Sequence, residues 1–211
     1  RFKTTRSVSA TGHMVDDISM QRTNGITLAA KHYLPIGRSA GNVLLLHGEG
    51  ISATRIPLTL VKKGFRVLEA ELRGIGLTDV PANKRTWAYG RFGRDNQEIL
   101  TAYLMGDSFV RMRVEDALSW ISRFGQEKIE IIGIGEAAIP ALHAASLIPE
   151  QVHRTKLELM IRSWTEVVRS PEHYNQLVNA VHGVLRHYDL PDLVKLTGAE
   201  ISNSAEANWQ P

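Results

Sequence analysis

Four short stretches place reactive side chains in glycine-rich turns: His47-Gly48-Glu49-Gly50, Arg73-Gly74-Ile75-Gly76, Gly133-Ile134-Gly135-Glu136 and Arg162-Ser163-Trp164. Each follows an apolar run with the composition of a buried strand. In an open α/β sheet, ligands gather at the carboxyl ends of the strands, so these are the positions to read for chemistry. His47 has the side chain of a general base and Ser163 that of a nucleophile. Each also has a plainer reading. Sharp strand-to-helix turns need glycine whatever their function. Ser163 precedes "WTEV" as a helix N-cap would, and His47 can serve loop geometry alone. Glu49, Glu136 and His47 are types that hold divalent metals, but their spacing matches no metal motif, and no metal or other cofactor is expected. His187, Asp189 and Asp192 cluster in "HYDLPDL", where a solvated turn before a proline-started helix accounts for them.

The totals narrow the field. A chain of 211 residues, 43% hydrophobic and 22% charged, is long enough to bury a substantial core. With no cysteine there is no disulfide framework and no thiolate ligand or nucleophile. The formal charge is only +3, and basic residues are scattered among acids. The densest patch, Lys84-Arg85 to Arg91 and Arg94, is broken by aromatics and glycines and reads as a solvated loop, so no nucleic-acid partner is expected. No apolar run reaches the roughly 18–20 residues that span a bilayer, so no membrane partner is expected either. The chain starts at Arg1 rather than methionine, which points to a processed or excised polypeptide.

The elements that must position these residues follow from period and punctuation. Residues 1–15 read as an extended lead-in to a single domain over 16–211. Two strand-like runs flank Asn24-Gly25, a strong hairpin signal. The unbroken run Val43 to Leu46 fits a strand buried on both faces of a parallel sheet. "RIPLTLVKKG" reads as a short amphipathic helix closed by Gly64, and "FRVLEAELRGIG" as a strand running into glycines. After a polar, aromatic loop over 79–95, helices are expected near 96–105 and 108–124. In the second, Val110, Val114, Ala117, Leu118, Ile121 and Phe124 form one stripe. Residues 128–145 supply a strand, the Gly-x-Gly turn and an alanine-rich helix. "KLELMIR", 156–162, reads as a strand and 173–187 as a helix. "LPDLVKLTG" is a helix with Pro191 at its start and Gly198 at its end, followed by a last strand in "AEISNS". Strands alternating with helices give a three-layer α/β fold: a mostly parallel sheet of about seven strands with an antiparallel N-terminal hairpin.

In this order the glycine clusters resemble the α/β-hydrolase superfamily, and within it the acetyl xylan esterase-like and dienelactone-hydrolase-like branch. "HGEG" is similar to the H-G-x-G oxyanion loop. "ELRGIGLTD" is similar to D-x-R-G-x-G-x-S, with Glu71 in place of the aspartate. "GIGEAA" occupies the nucleophile elbow, and "GVLRHYDLPDLV" resembles the approach to the seventh strand. The likeness runs from about residue 16 to 206. It implies an oxyanion site at Gly48, Glu49, Gly50 and the main-chain N–H of Glu136. It also implies a triad in the order serine, acid, histidine. The serine position is Gly135, which has no side chain. The acid position falls on Glu206. The histidine would follow an eighth strand, which is missing here, and the last histidine is His187. The carboxylates of Glu49 and Glu136 are expected to face solvent, with Glu136 kept ionised by a helix first turn.

Two functions from different classes follow. One is a hydrolase of carbohydrate-acetyl or small carboxylic esters with weak or no turnover, in which His47 or Ser163 substitutes for the lost groups. The other is a non-catalytic pseudo-hydrolase that binds a small ester or carbohydrate ligand, or serves as partner domain in a longer protein.

Overall fold

The computed structural model describes residues 1–23, 25–81, 84, 93, 96–171 and 176–203. Its strands are β1 (Phe2–Ala10), β2 (His13–Gln21), β3 (Thr27–Pro35), β4 (Gly41–His47), β5 (Phe65–Ala70), β6 (Ile129–Ile134), β7 (Val152–Glu158) and β8 (Glu200–Ser202). They form one sheet in the order β1-β2-β3-β5-β4-β6-β7-β8. The first three strands and the β3–β5 pairing are antiparallel; β5, β4, β6, β7 and β8 run parallel. The described helices are α1 (Ile56–Lys62), α2 (Asn96–Leu104), α3 (Phe109–Ile121), α4 (Ala138–Leu147), α5 (Trp164–Arg169) and α6 (Leu190–Thr197).

The sheet is mostly parallel, as the alternation of elements predicts, with eight strands rather than about seven. The additional one is β1, which lies in the stretch read as a lead-in. It pairs with β2 along its length, with a register shift between Thr4 and Arg6, and nearly all its residues are exposed. Strand β7 begins at Val152, earlier than "KLELMIR" suggested, and stops at Glu158. Leu159 ends it by adopting φ +54° and donating its N–H to Ser202 O at 3.0 Å. The helix expected over 173–187 does not form in its described part, 176–187. Short 3-10 turns occupy Leu177–Asn179 and Val184–Arg186, and Gly183 separates them at φ +72°.

The apolar run of β4 is divided between two cores. Leu44 and Leu46 face the α3–α4 side with Leu68, Val114, Trp120 and Ile131, while Val43 and Leu45 face α1 with Val67, Leu60 and Ile132. That division is the reason the run does not alternate with polar residues. On β6, Gly133 turns to the α4 side. A Cβ there would lie 2.6 Å from Ala141 Cβ and 2.9 Å from Ala138 Cα, so glycine lets the helix settle directly on the strand. No described helix is long and apolar enough to cross a membrane.

Candidate functional site

Strand β6 ends in a turn that passes through Gly135 at φ +62° and a 3-10 turn over Gly135–Ala137 before α4 begins. A Cβ on Gly135 would meet nothing within 4 Å. The backbone here has the left-handed conformation of a strained strand-to-helix corner, and its outer side is open. The end of β4 lies against it. Gly48 N–H donates to Ile134 O at 3.0 Å, and a Cβ on Gly48 would come within 2.8 Å of Glu136 N. The "HGEG" loop and the "GIGEAA" turn are therefore in contact through main-chain atoms.

His47 is engaged within its own loop. Its Nδ1 accepts the N–H of Glu49 at 2.9 Å, and burial holds its ring below the ordinary imidazole range. In the neutral form the ring proton thus sits on Nε2. One N–H of the oxyanion loop is accordingly directed at an imidazole. Glu49 itself is exposed, as expected. Glu136 differs from expectation: its Oε2 lies 3.4 Å from Nη1 of Arg113, whose side chain is only 1% exposed. A buried guanidinium attracts the carboxylate back toward the protein more strongly than solvent draws it out.

Arg113 belongs to a buried network that locks the "ELRGIG" segment to α3. Asp116, fully buried, accepts from Arg73 through its backbone N (3.1 Å), Nε (2.8 Å) and Nη2 (2.6 Å). Arg113 Nε donates to Arg73 O at 2.9 Å, and Trp120 Nε1 to Glu71 O at 2.8 Å. The side chains of Glu69 and Glu71 point into the two loops above β5. Glu69 accepts from Ser52 N (2.8 Å) and Tyr33 OH (3.0 Å); Glu71 accepts from Leu77 N (3.0 Å). Burial raises both carboxyls, and the N–H donors oppose that rise. Gly76 is glycine because a Cβ there would overlap the Glu71 carboxylate, at 1.8 Å from Oε1. Sequence reading missed Arg113, Asp116 and Glu69 as site-forming residues. The available signal was two charged residues at helical spacing beside the Val110–Val114–Ala117 stripe.

Ser163 is the N-cap of α5. Its Oγ accepts from Glu166 N at 3.2 Å and donates to Asp189 Oδ2 at 2.6 Å. Asp189 also takes the N–H groups of Trp164 (2.8 Å) and Thr165 (3.2 Å), and caps α6 in a reciprocal box with Asp192. Burial alone would raise the Asp189 carboxyl; the hydrogen bonds from Ser163, Thr165, Leu190 and Trp164 outweigh it and hold the group well below the usual carboxylate range. The "HYDLPDL" acids thus fasten two helix starts together, while His187 is exposed. Asp189→Ala is expected to cost about 2 kcal/mol of stability, the loss of a shared cap. Because the folded pKa lies below the unfolded value of 3.8, this stabilisation is complete well above that value, begins to fall there and is lost as the pH drops on through the lower folded value. An Asp189→Asn variant should therefore show a flatter acid limb in denaturation measured between neutral pH and pH 3; an unchanged limb would count against the assignment.

The acid position, Glu206, and most of the basic patch over 84–94 lie outside the described residues. Among the described residues, no three His, Asp or Glu side chains converge as a metal cluster.

Among the solved structures that resemble the chain are the following three. A candidate acetyl xylan esterase from Bacteroides fragilis has a TM-score of 0.69 at 10% identity, over 98% of this chain and 70% of that one. Acetyl xylan esterase 1 from Thermoanaerobacterium sp. has a TM-score of 0.58 at 16% identity, over 95% and 66%. A cold-adapted esterase from an Arctic intertidal metagenomic library has a TM-score of 0.51 at 18% identity, over 74% of this chain and 64% of that one. The chain thus spans 64% to 70% of the length of these proteins. No protein-family model matches the sequence, and no curated protein is similar enough in sequence to match it. At such identities the likeness defines the fold alone, an α/β-hydrolase-like fold built on a mostly parallel sheet.

Proposed function

We propose that this chain is a degenerate hydrolase of esterase descent, with weak or no hydrolysis of carbohydrate-acetyl or small carboxylic esters. The observation that carries this reading is Gly135, which takes φ +62° at the corner between β6 and α4 and offers no oxygen to attack a carbonyl. The turn keeps the shape that would raise a nucleophile and lacks the nucleophile. The substitutes are occupied elsewhere: the Ser163 hydroxyl donates to Asp189, and His47 Nδ1 accepts from Glu49. A second reading is a non-catalytic domain that holds an ester or carbohydrate ligand, or a partner domain, in the same crevice. It is favoured by the loop N–H committed to His47 and by the Glu136 carboxylate beside the turn, which would repel a developing oxyanion.

The test is hydrolysis of p-nitrophenyl acetate by the pure protein, beside Gly135→Ala and Gly135→Ser. The wild type should turn over no faster than Gly135→Ala, and a serine-directed fluorophosphonate should leave it unlabelled. Gly135→Ser has room for its side chain, and among the described residues the nearby candidate base, His47, already accepts from Glu49, so its turnover should stay low. Rapid wild-type turnover with a single fluorophosphonate adduct, at Ser163 or any other hydroxyl, would overturn the reading.

A further inference from the structure

At the amino end of the parallel strands, far along the sheet from the elbow turn, polar atoms collect under the end of α3. Asn42 and Arg66 are register partners on β4 and β5, His32 is the partner of Leu68 on β5, and Asp16 is the partner of His32 on β2. His32, Arg66 and Asn42 follow the alternation of Ala30, Leu68 and Leu44, so they share the sheet face that α3 covers. The 3-10 turn Ser122–Phe124 closes over them, with the Phe124 ring edge-on to His32 at 6.5 Å and the Arg123 guanidinium 5.7 Å over the Phe2 ring.

Both ring nitrogens of His32, Nε of Arg66, Nε of Arg123 and Oδ1 of Asn42 are buried without a hydrogen-bond partner. Five of the six such atoms among the described residues lie in this one place, which sets them apart from scattered packing faults. Glu127 holds the remaining polar ends, accepting from Asn42 Nδ2 at 2.9 Å and from the Arg66 guanidinium. The charges facing the imidazole are Arg123 from the turn after α3, Arg66 from β5 and Asp16 from β2. Asp16 Oδ1 is taken by the Ser7 hydroxyl at 2.6 Å. Burial and the two cations push the His32 ring down to about 4 against the pull of Asp16, so near neutral pH it has one donor and one acceptor nitrogen. Two guanidiniums stand against two carboxylates, Asp16 and Glu127, and the hydrogens without an acceptor are those on Arg66 Nε, Arg123 Nε and one imidazole nitrogen.

We propose that His32, Arg66 and Arg123 form a binding site for a small oxyanion, with Arg66 Nε–H, Arg123 Nε–H and one imidazole N–H as its donors. An oxyanion of phosphate or carboxylate type supplies the acceptors that these buried donors lack. The site is separate from the elbow and does not depend on what the elbow does.

The test follows the imidazole resonances of the protein's 8 histidines at pH 7 while sodium chloride is replaced by inorganic phosphate, or by acetate, at constant ionic strength. A saturable shift confined to His32, with His143 and His187 unmoved, is the expected result. A response to phosphate alone fixes a tetrahedral ligand, to acetate alone a planar carboxylate, and to both a general oxyanion site. Arg123→Gln should weaken the midpoint by about tenfold or more, a loss of one charged donor. No saturable shift of His32 with either anion overturns the proposal, and so does a midpoint unchanged in Arg123→Gln. The wild-type titration decides alone if that variant fails to fold.

Discussion

Gly133→Ala is expected to destabilise the protein by about 3 kcal/mol, while Gly135→Ala, two residues on in the turn that follows the strand, should cost only about 1–2 kcal/mol. The reasons differ in kind. At Gly133 the new methyl would lie 2.6 Å from Ala141 Cβ and 2.9 Å from Ala138 Cα, so α4 must lift off β6. Helix backbone has no rotamer by which to move aside, and the layer of Ala138, Ala141 and Leu142 behind it is fully buried. At Gly135 a methyl meets open space and the cost is the left-handed backbone alone. Valine at Gly135 should cost more than alanine, since a branched Cβ tolerates φ +62° poorly. Urea denaturation of the variants gives the ordering directly. Were Gly133→Ala no worse than Gly135→Ala, the close contact of helix and strand would be wrong.

Asp116→Ala should be as damaging, at about 3–5 kcal/mol, because it leaves the Arg73 guanidinium buried with its partner removed. Arg22 Nε, 3.7 Å from Asp116, loses a counter-charge at the same time. The effect should reach the candidate site, because Arg73 O anchors Arg113 and Arg113 faces Glu136. Removing both charges, as Arg73→Met with Asp116→Leu, should recover a large part of the loss, since a buried pair replaced by apolar side chains is often no less stable. A double variant as unstable as Asp116→Ala would mean that the two side chains do not act as a pair.

Much of this scaffold is legible in the residues. The Val43–Leu46 run, the α3 stripe, and Pro191 and Gly198 at the two ends of α6 are local signals, and local signals survive folding. Strand β1 carried no such signal. Its Thr, Ser and Arg residues face water on both sides, so nothing alternates. The helix expected over 173–187 does not form in its described part, 176–187, for the opposite reason. Val178, Val181 and Val184 repeat every three residues, as a helix face does, but Gly183 turns left-handed between them. Trp164 Nε1 instead holds Asn179 O at 2.9 Å, a bond across fifteen residues. At the site, the turn through Gly135 could be read from its glycines. The network of Arg73, Arg113, Asp116 and Glu136 could not, because its partners are 23 to 43 residues apart and no spacing rule links them.

The shape of β1 bears on how the protein behaves in concentrated solution. A nine-residue outer strand bathed in solvent is a template on which other copies can stack edge to edge. Lys3 and Arg6 flank its break in register, so two such strands meeting would set like charge against like and find their ladders out of step. That repulsion is colloidal and fades as added electrolyte shortens the Debye length, so clumping through this rim should worsen with salt.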